Sequence, residues 1–508
     1  MQTLPLKPTL LLILTLLLSN CAPQSTPELT LPIAQTTTST PTFQPTETLT
    51  PTQKPPRGTK VPNGQQGQGQ GQQGQNGPSQ ALSFETPAHP FDVILGRPTA
   101  SSITLSLLST TDQTLSITYS ADNAAPQSIS AALIANTPQE IVLSNLTADT
   151  EYTYSINGGT ANTFHTARPS GSTFTFTIQA DSHLDSNTDP QVYAQTLANQ
   201  RADQPDFFID LGDTFMTEKY KPYTDAAPQY LAQRYLMGQL ADTAPLFLVL
   251  GNHDGEGAPR GNTGMEVSVW SAEMRNKYFP NPVPNDFYTG NTTPDPTVGN
   301  LQNYYAWTWG DALFIVLDPY WFTPPTKGNA NNLWNPTLGE AQYRWLKSTL
   351  ETSNAKWKFV FIHQLVGGLD KDGRGGIEVA PYQEWGGLNL DGSYGFDENR
   401  PGWQSPIHQL LVTNHVTAVF HGHDHLFVQQ ELDGIIYQEV PQPGAAQPNN
   451  TNSAAEYGYV NGTILGGPGH MRVTVSPEQV TVDYVRSYIE EKPDQKNGQV
   501  DFSYTILP

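Results

Sequence analysis

From residue 84 onward the chain is written in short apolar runs separated by Asn, Gly, Pro and Asp, and the texture of these runs changes once. Between about Phe84 and Arg168 they alternate, as in ITLSL (103–107), LSITY (115–119), EIVLSNL (140–146) and YTYSI (152–156). A period of two with turn residues at this spacing predicts a small antiparallel sandwich. After Arg168-Pro169 the runs become apolar throughout: TFTFTIQA, DFFIDL, LFLVL, LFIVL, KFVFI and VTAVF. Such strands are covered on both faces, and helix-length segments such as EAQYRWLKSTLE stand between some of them, so an α/β region is predicted. The stretch GHMRVTVSPEQVTVDYVRSY reads as a closing hairpin.

Upstream the composition is of another kind. Residues 1–20, MQTLPLKPTLLLILTLLLSN, carry one lysine and then a leucine-rich stretch too short to span a bilayer comfortably, the pattern of a secretory signal. Cys21, the only cysteine, follows Leu18-Ser19-Asn20, which resembles the lipobox of bacterial lipoproteins. That resemblance implies cleavage before Cys21, a lipid on its sulfur, and an exported protein held at the cell surface or in the periplasm through that membrane anchor. Residues 21–82 are Thr/Pro-rich and then Gln/Gly-rich, too poor in apolar side chains to offset ordering entropy, and are expected to be a disordered tether. With no second cysteine an internal disulfide is excluded.

Charge narrows the class of partner. The formal net charge is -22, from 25 basic and 47 acidic residues, and no Lys/Arg-rich run occurs. Nucleic acid binding through a basic surface is therefore not expected. An acidic protein can still act on phosphate esters when bound cations reverse the local field.

Chemistry gathers at the ends of the apolar runs. TIQA leads into Asp181-Ser182-His183, FFIDL into Gly212-Asp213, LFLVL into Gly251-Asn252-His253-Asp254, KFVFI into His363, and VTAVF into His421-Gly422-His423-Asp424-His425. Five runs of six thus place oxygen and nitrogen ligands on what is expected to be one rim of a sheet, where open α/β sheets bind ligands. Asp, Asn and His suit Zn, Mn, Fe or Co, and no thiolate is present for a structural zinc site.

The series D-x-H, G-D, G-N-H-D, a lone His and G-H-x-H is similar to the calcineurin-like metallophosphoesterase superfamily over about residues 172–490. The sandwich resembles a fibronectin type III domain, with Leu146-Thr147-Ala148-Asp149-Thr150-Glu151-Tyr152 like its tyrosine corner. Together with YYAWTWGDALFIVLD (304–318) it looks like the layout of purple acid phosphatases. The resemblance implies a fibronectin-like domain over 83–168, followed over 169–508 by a four-layer α-β-β-α domain. It also implies a hydrolase of phosphate monoesters, working through two divalent metal ions and a bridging hydroxide. A phosphodiesterase or nucleotidase on the same site, and a non-catalytic surface binding protein, are the alternatives. Carried over residue by residue, Asp181, His183, Asp213 and His425 would hold the first metal, and Asn252, His363 and His423 the second, with Asp213 bridging. His253 would stabilise the transition state or protonate the leaving oxygen, with Asp254 orienting its imidazole. Gly422 would allow a tight turn, so that His423 and His425 reach both metals from one loop.

The chain also departs from the purple enzymes. Their ferric-binding tyrosine stands three residues after the bridging aspartate, where this chain has Met216, and His183 replaces the glycine of their first motif. Imidazole in place of phenolate implies a colourless centre holding divalent cations. The insertion after His363 is long enough to roof the site, with Arg374 and Arg400 as candidate phosphate contacts. His421 is expected to pack or hydrogen-bond outside the site. Asp424 is expected to face solvent or a loop amide. Trp307, Trp309, Tyr320 and Trp321 are read as core and sheet packing.

Overall fold

The computed structural model describes residue 82 and residues 84–257, 265–324, 332–370 and 372–508. The signal segment, Cys21 and nearly all of the tether lie outside the described residues.

The alternating runs become two facing sheets. Strands β1 (Asp92–Gly96), β2 (Ser102–Leu108) and β5 (Gln139–Ser144) form one; β3 (Gln113–Ala121), β4 (Gln127–Leu133), β6 (Glu151–Ile156) and β7 (Asn162–His165) form the other. Inward residues such as Leu105, Leu107, Leu115, Ile117, Tyr154 and Phe164 make a separate core. The tyrosine corner closes with the backbone N–H of Thr147 donating to the Tyr152 hydroxyl at 2.9 Å.

The α/β region is a pair of stacked sheets. Strands β8 (Phe174–Gln179), β9 (Phe207–Asp210) and β10 (Leu246–Leu248) run parallel, and β19 (Gly469–Val475), β20 (Val480–Arg486) and β21 (Val500–Ile506) extend them antiparallel into a six-stranded sheet. The second sheet has eight strands, from β11 (Thr289–Gly290) through β12 (Tyr305–Trp309), β13 (Ala312–Val316), β14 (Trp357–Phe361), β15 (Ala418–His421), β17 (Ile435–Glu439) and β16 (Leu426–Leu432) to β18 (Thr463–Gly466). The predicted single rim is therefore two rims, one from each sheet.

Why the runs are apolar throughout is visible strand by strand. Along β14 the side chains of Trp357, Phe359 and Phe361 enter the core between the sheets, whereas Val360 enters a second core under α3 (Glu340–Thr352). On β9, Phe207 and Ile209 point between the sheets and Phe208 points to α1 (Pro190–Ala202) and α2 (Ala227–Ala241). Each strand is pleated against apolar neighbours on both faces, which gives four layers, α-β-β-α. Aromatic rings dominate the inner layer: Phe207 lies edge-on to Trp307, Trp309 and Phe314 at 5.2–5.7 Å between centroids. The reading of Trp307 and Trp309 as core residues matches their burial.

The sandwich is joined to the α/β region through α2. The guanidinium of Arg234, wholly buried, donates to Asp92 on β1, to the Ser106 carbonyl of β2 at 2.7 Å and to the Tyr278 carbonyl. Tyr154 of β6 donates to the Asp242 carbonyl at 2.6 Å just past α2. Removing one partner of a buried pair leaves the other charge uncompensated. Arg234→Met is expected to cost about 3–5 kcal/mol in chemical denaturation. Adding Asp92→Asn to that variant should recover part of the loss, because the stranded carboxylate is then gone.

Candidate metal centre

The carboxyl ends of β8, β9 and β10 face those of β14 and β15, and main-chain bonds join neighbouring loops within each rim. Asp181 N–H donates to the Gly212 carbonyl at 2.9 Å, His183 N–H to the Asp213 carbonyl at 3.1 Å, and Gly422 N–H to the His363 carbonyl at 2.9 Å. Across the sheets, His423 N–H donates to Asp181 Oδ2 at 2.9 Å.

Two donor clusters result. Asp181, His183 and His425 form one, and Asp213, His363 and His423 form the other; within each, one ligand atom per residue lies within 4.8 Å of the rest. Asp181 Oδ1 lies 3.6 Å from His183 Nε2 and 3.5 Å from His425 Nε2. Asp213 Oδ2 lies 3.3 Å from His363 Nε2 and 3.9 Å from His183 Nε2, between the clusters. Asn252 Oδ1 is 3.2 Å from His363 Nε2. All seven sequence-predicted ligands are thus brought together.

The donors point inward with their lone pairs free. Asp181 Oδ1, His183 Nε2 and His423 Nδ1 are buried without a hydrogen-bond partner, while His183 Nδ1 faces Asp185 Oδ2 at 3.5 Å. Buried polar atoms normally find partners, so three such atoms in adjacent clusters fit a cation better than an empty cavity. Outer contacts select which nitrogen is presented. His363 Nδ1 donates to the Leu211 carbonyl at 2.8 Å and presents Nε2; His423 Nε2 donates to the Asp372 carbonyl at 2.9 Å and presents Nδ1.

The electrostatics follow from burial and crowding. Burial opposes ionisation of Asp181, but His425, His183 and His363 outweigh it and hold the carboxyl well below its ordinary range. Burial likewise disfavours charge on His363, yet Asp213 and Asp181 raise it to about 9. For His423 burial wins, with His363 and Arg374 adding repulsion, and the ring is held neutral with a lone pair available.

The backbone is strained where the donors sit. Asp181, His183, Asp213, His423 and His425 have φ between 50° and 90°, the left-handed region that non-glycine residues avoid. Glycines make room beside them. A Cβ on Gly251 would lie 2.0 Å from the Asp213 nitrogen, and one on Gly422 would lie 2.8 Å from Asp181 Oδ2 and from Ala180 Cβ. Gly422 has no positive φ, so its role is close approach to Asp181 rather than the predicted tight turn.

Other expectations change. Asp254 does not orient His253: its carboxylate accepts the backbone N–H groups of Gly251, Asp213, Thr214 and Phe215 at 2.8–3.1 Å, tying two ligand loops together. The imidazole instead meets Glu218, whose Oε1 faces His253 Nδ1 at hydrogen-bond distance; the sequence reading passed over this residue. Arg400 is no phosphate contact, since its guanidinium binds Glu384 and the carbonyls of Asn399, Trp334 and Pro336. Arg374 sits beside the centre, donating to the His423 carbonyl at 3.0 Å and to Asp424 Oδ1 at 2.8 Å. Asp424 is buried rather than solvent-facing and also accepts from the Gly375 amide, the loop contact expected of it. His421 stays outside both clusters, packed against Glu439, and burial lowers its pKa to about 3. Tyr320 lies beside the centre, its ring 6.4 Å from that of His363 and its hydroxyl donating to Gln364.

Among known proteins, no curated sequence matches significantly. The fold is shared with a structure of PhoD at 13% identity, TM-score 0.58, covering 86% of this chain and 92% of that one. It is also shared with the purple acid phosphatase PPD1 from yellow lupin (Lupinus luteus) seeds at 16% identity, TM-score 0.53, covering 82% and 74%. The profile of the calcineurin-like phosphoesterases, a family of metal-dependent phosphoester hydrolases, matches residues 174–427, half of the chain. With the two-sheet fold and the donor clusters at its paired rims, this match shows that the chain belongs to the calcineurin-like phosphoesterase family.

Proposed function

We propose that the protein is an exported hydrolase of phosphate monoesters that works with two divalent cations. The observation that carries this reading is the pair of adjacent donor clusters with buried, unpartnered lone pairs. Asp181, His183 and His425 would hold one cation, His363, His423 and Asn252 the other, with Asp213 reaching both. When bound, such cations neutralise charge on a phosphoryl group and acidify water near neutral pH. Their charge also answers how a chain of net charge -22 receives a small phosphorylated substrate. The donor set has no thiolate and no tyrosinate at Met216, which favours divalent Mn, Zn, Co or ferrous iron and a centre without a tyrosinate-to-iron charge-transfer band.

The protein's own groups have separable tasks. Asp254 and the glycines hold the ligand loops in their strained form. His253, partly exposed with Nε2 3.9 Å from Asp213 Oδ2, stands at the edge of the donor set and donates a proton to the leaving oxygen. Arg374 fixes the insertion against the His423 loop. The completeness of this set favours an enzyme over a binding protein on a degenerate scaffold.

Address is a separate part of the proposal. Among the described residues no helix is long and apolar enough to cross a membrane. A lipid on Cys21 would supply the anchor, with residues 22–82 as the tether. Cys21→Ser should move the protein from the membrane fraction, or leave the leader uncut, with mass spectrometry of the mature amino terminus as the check. An unmodified amino terminus generated elsewhere would overturn the anchor.

For the centre, Asp213→Asn should lose at least one cation by elemental analysis. His253→Ala should keep the metals and lose roughly 10²–10⁴ in kcat. Turnover that survives exhaustive chelation would refute the reading.

Gly422→Ala drives a methyl group against Asp181. It is expected to weaken metal binding by roughly tenfold or more in a competition titration, the usual scale for disturbing a ligand's support.

A further inference from the structure

We propose that Glu218 is a positioning residue that holds the imidazole of His253 for proton donation to the leaving oxygen; this rests on the phosphoesterase reading above. Glu218 lies in the short 3-10 turn Thr217–Lys219, five residues past Asp213 and outside every recognisable motif. It grips His253 at two points. Its carboxylate Oε1 accepts from Nδ1, and its backbone N–H donates to the His253 carbonyl at 3.4 Å.

The approach of this turn to the His253 loop is built in. Gly255 has φ 85°, and a Cβ there would lie 2.8 Å from Thr217 Cβ and 2.5 Å from Ser271 Oγ, so only glycine lets the turn come this near. Thr217 Oγ1 in turn meets the Tyr230 hydroxyl at 2.9 Å, which pins the turn to α2. The carboxylate that follows His253 in sequence is unable to serve, because Asp254 is held by four backbone amides on the other side of the loop.

The consequence is chemical. With Nδ1–H committed to Glu218, ring plane and tautomer are fixed, and Nε2 is the nitrogen turned toward the donor set, 3.9 Å from Asp213 Oδ2. In the reaction a water oxygen bonds to phosphorus, its proton passing to solvent, and the P–O bond to the leaving group breaks. Its electron pair goes to the leaving oxygen, which takes the proton from Nε2 of the imidazolium; the ring is left as the neutral Nδ1–H form and regains the Nε2 proton from solvent before the next turnover. Nδ1 keeps its own proton throughout, and Glu218 remains a carboxylate. The contribution grows with the basicity of the leaving oxygen, since an alkoxide needs that proton and an acidic phenolate does not.

Leaving-group dependence gives the test. Metal-loaded wild type, Glu218→Gln and Glu218→Asp are compared on glycerol phosphate and on p-nitrophenyl phosphate, with metal content and melting temperature measured alongside. Glu218→Gln should lose kcat on the alkyl ester roughly tenfold or more beyond its loss on the aryl ester, with KM and metal content retained. Glu218→Asp, which keeps the charge, should restore part of the difference. Equal losses on both esters, no loss on either, or loss of a metal would overturn the role of Glu218 while the phosphoesterase reading stands. Wild type that turns over neither ester would fell that reading and this role with it.

Discussion

Crowding at the junction of the two sheets is the constraint to which the rest of the molecule answers. Asp181 and Asp213 stand among four imidazoles in a buried space, and five of the seven proposed ligands lie in left-handed backbone. Each such residue costs roughly 1–2 kcal/mol, and the cost is met only where surroundings over-determine the conformation. Here they do. Asp254 collects amides from both the Asp213 and Gly251 loops. Behind Asp213, a buried chain runs from Thr177 through Gln200 and Gln179 to Asp210, which accepts from Thr214 and the Gly212 amide. Burial pushes the Asp210 carboxyl up to about 6 despite those donors, a sign of how dry this support is.

The sheets supply the rigidity that loops alone lack. Asn252 hangs from the end of β10 in one sheet and His363 from β14 in the other, yet their polar atoms approach to 3.2 Å. That meeting depends on the spacing of the layers, which the packed rings of Phe207, Phe247, Trp307 and Phe314 set. Cutting down one of these rings would leave a cavity far from the centre and still shift one ligand edge against the other. The proposed ligand geometry is therefore a property of the inner core as much as of the loops.

What the sequence made legible follows from range. Strand faces were readable because a pleated strand buried on both sides must be apolar at consecutive positions, as in KFVFI. The ligands were readable because each stands at a run's end in a fixed order. The distribution over two sheets was not, since runs of this kind look alike in either sheet. Asp254 and Glu218 show the same limit more sharply. Adjacency in G-N-H-D suggests that the aspartate serves the histidine, but its oxygens turn back to amides up to 41 positions away in sequence, and the partner comes from TFMTEKY, a stretch with no periodicity. Gly422 and Arg400 were misread for a like reason: close approach and carbonyl acceptors are tertiary facts that composition does not record.

The insertion after His363 is part of the centre rather than a cover added to it. The Asp372 carbonyl fixes which nitrogen His423 presents, and Arg374 ties the same loop to the His423 carbonyl and to Asp424 while stacking on Tyr457 at 4.2 Å. The Tyr459 hydroxyl meets the other Asp424 oxygen, so a second loop joins the contact. Through Glu439, which accepts the Asp424 amide, this cluster reaches His421 at the end of β15 beneath the proposed ligands. A change in the insertion that reshaped substrate access would therefore also move the support of one proposed ligand. The support of His423, a proposed ligand, passes through two groups of the insertion, the carbonyl of Asp372 and the guanidinium of Arg374.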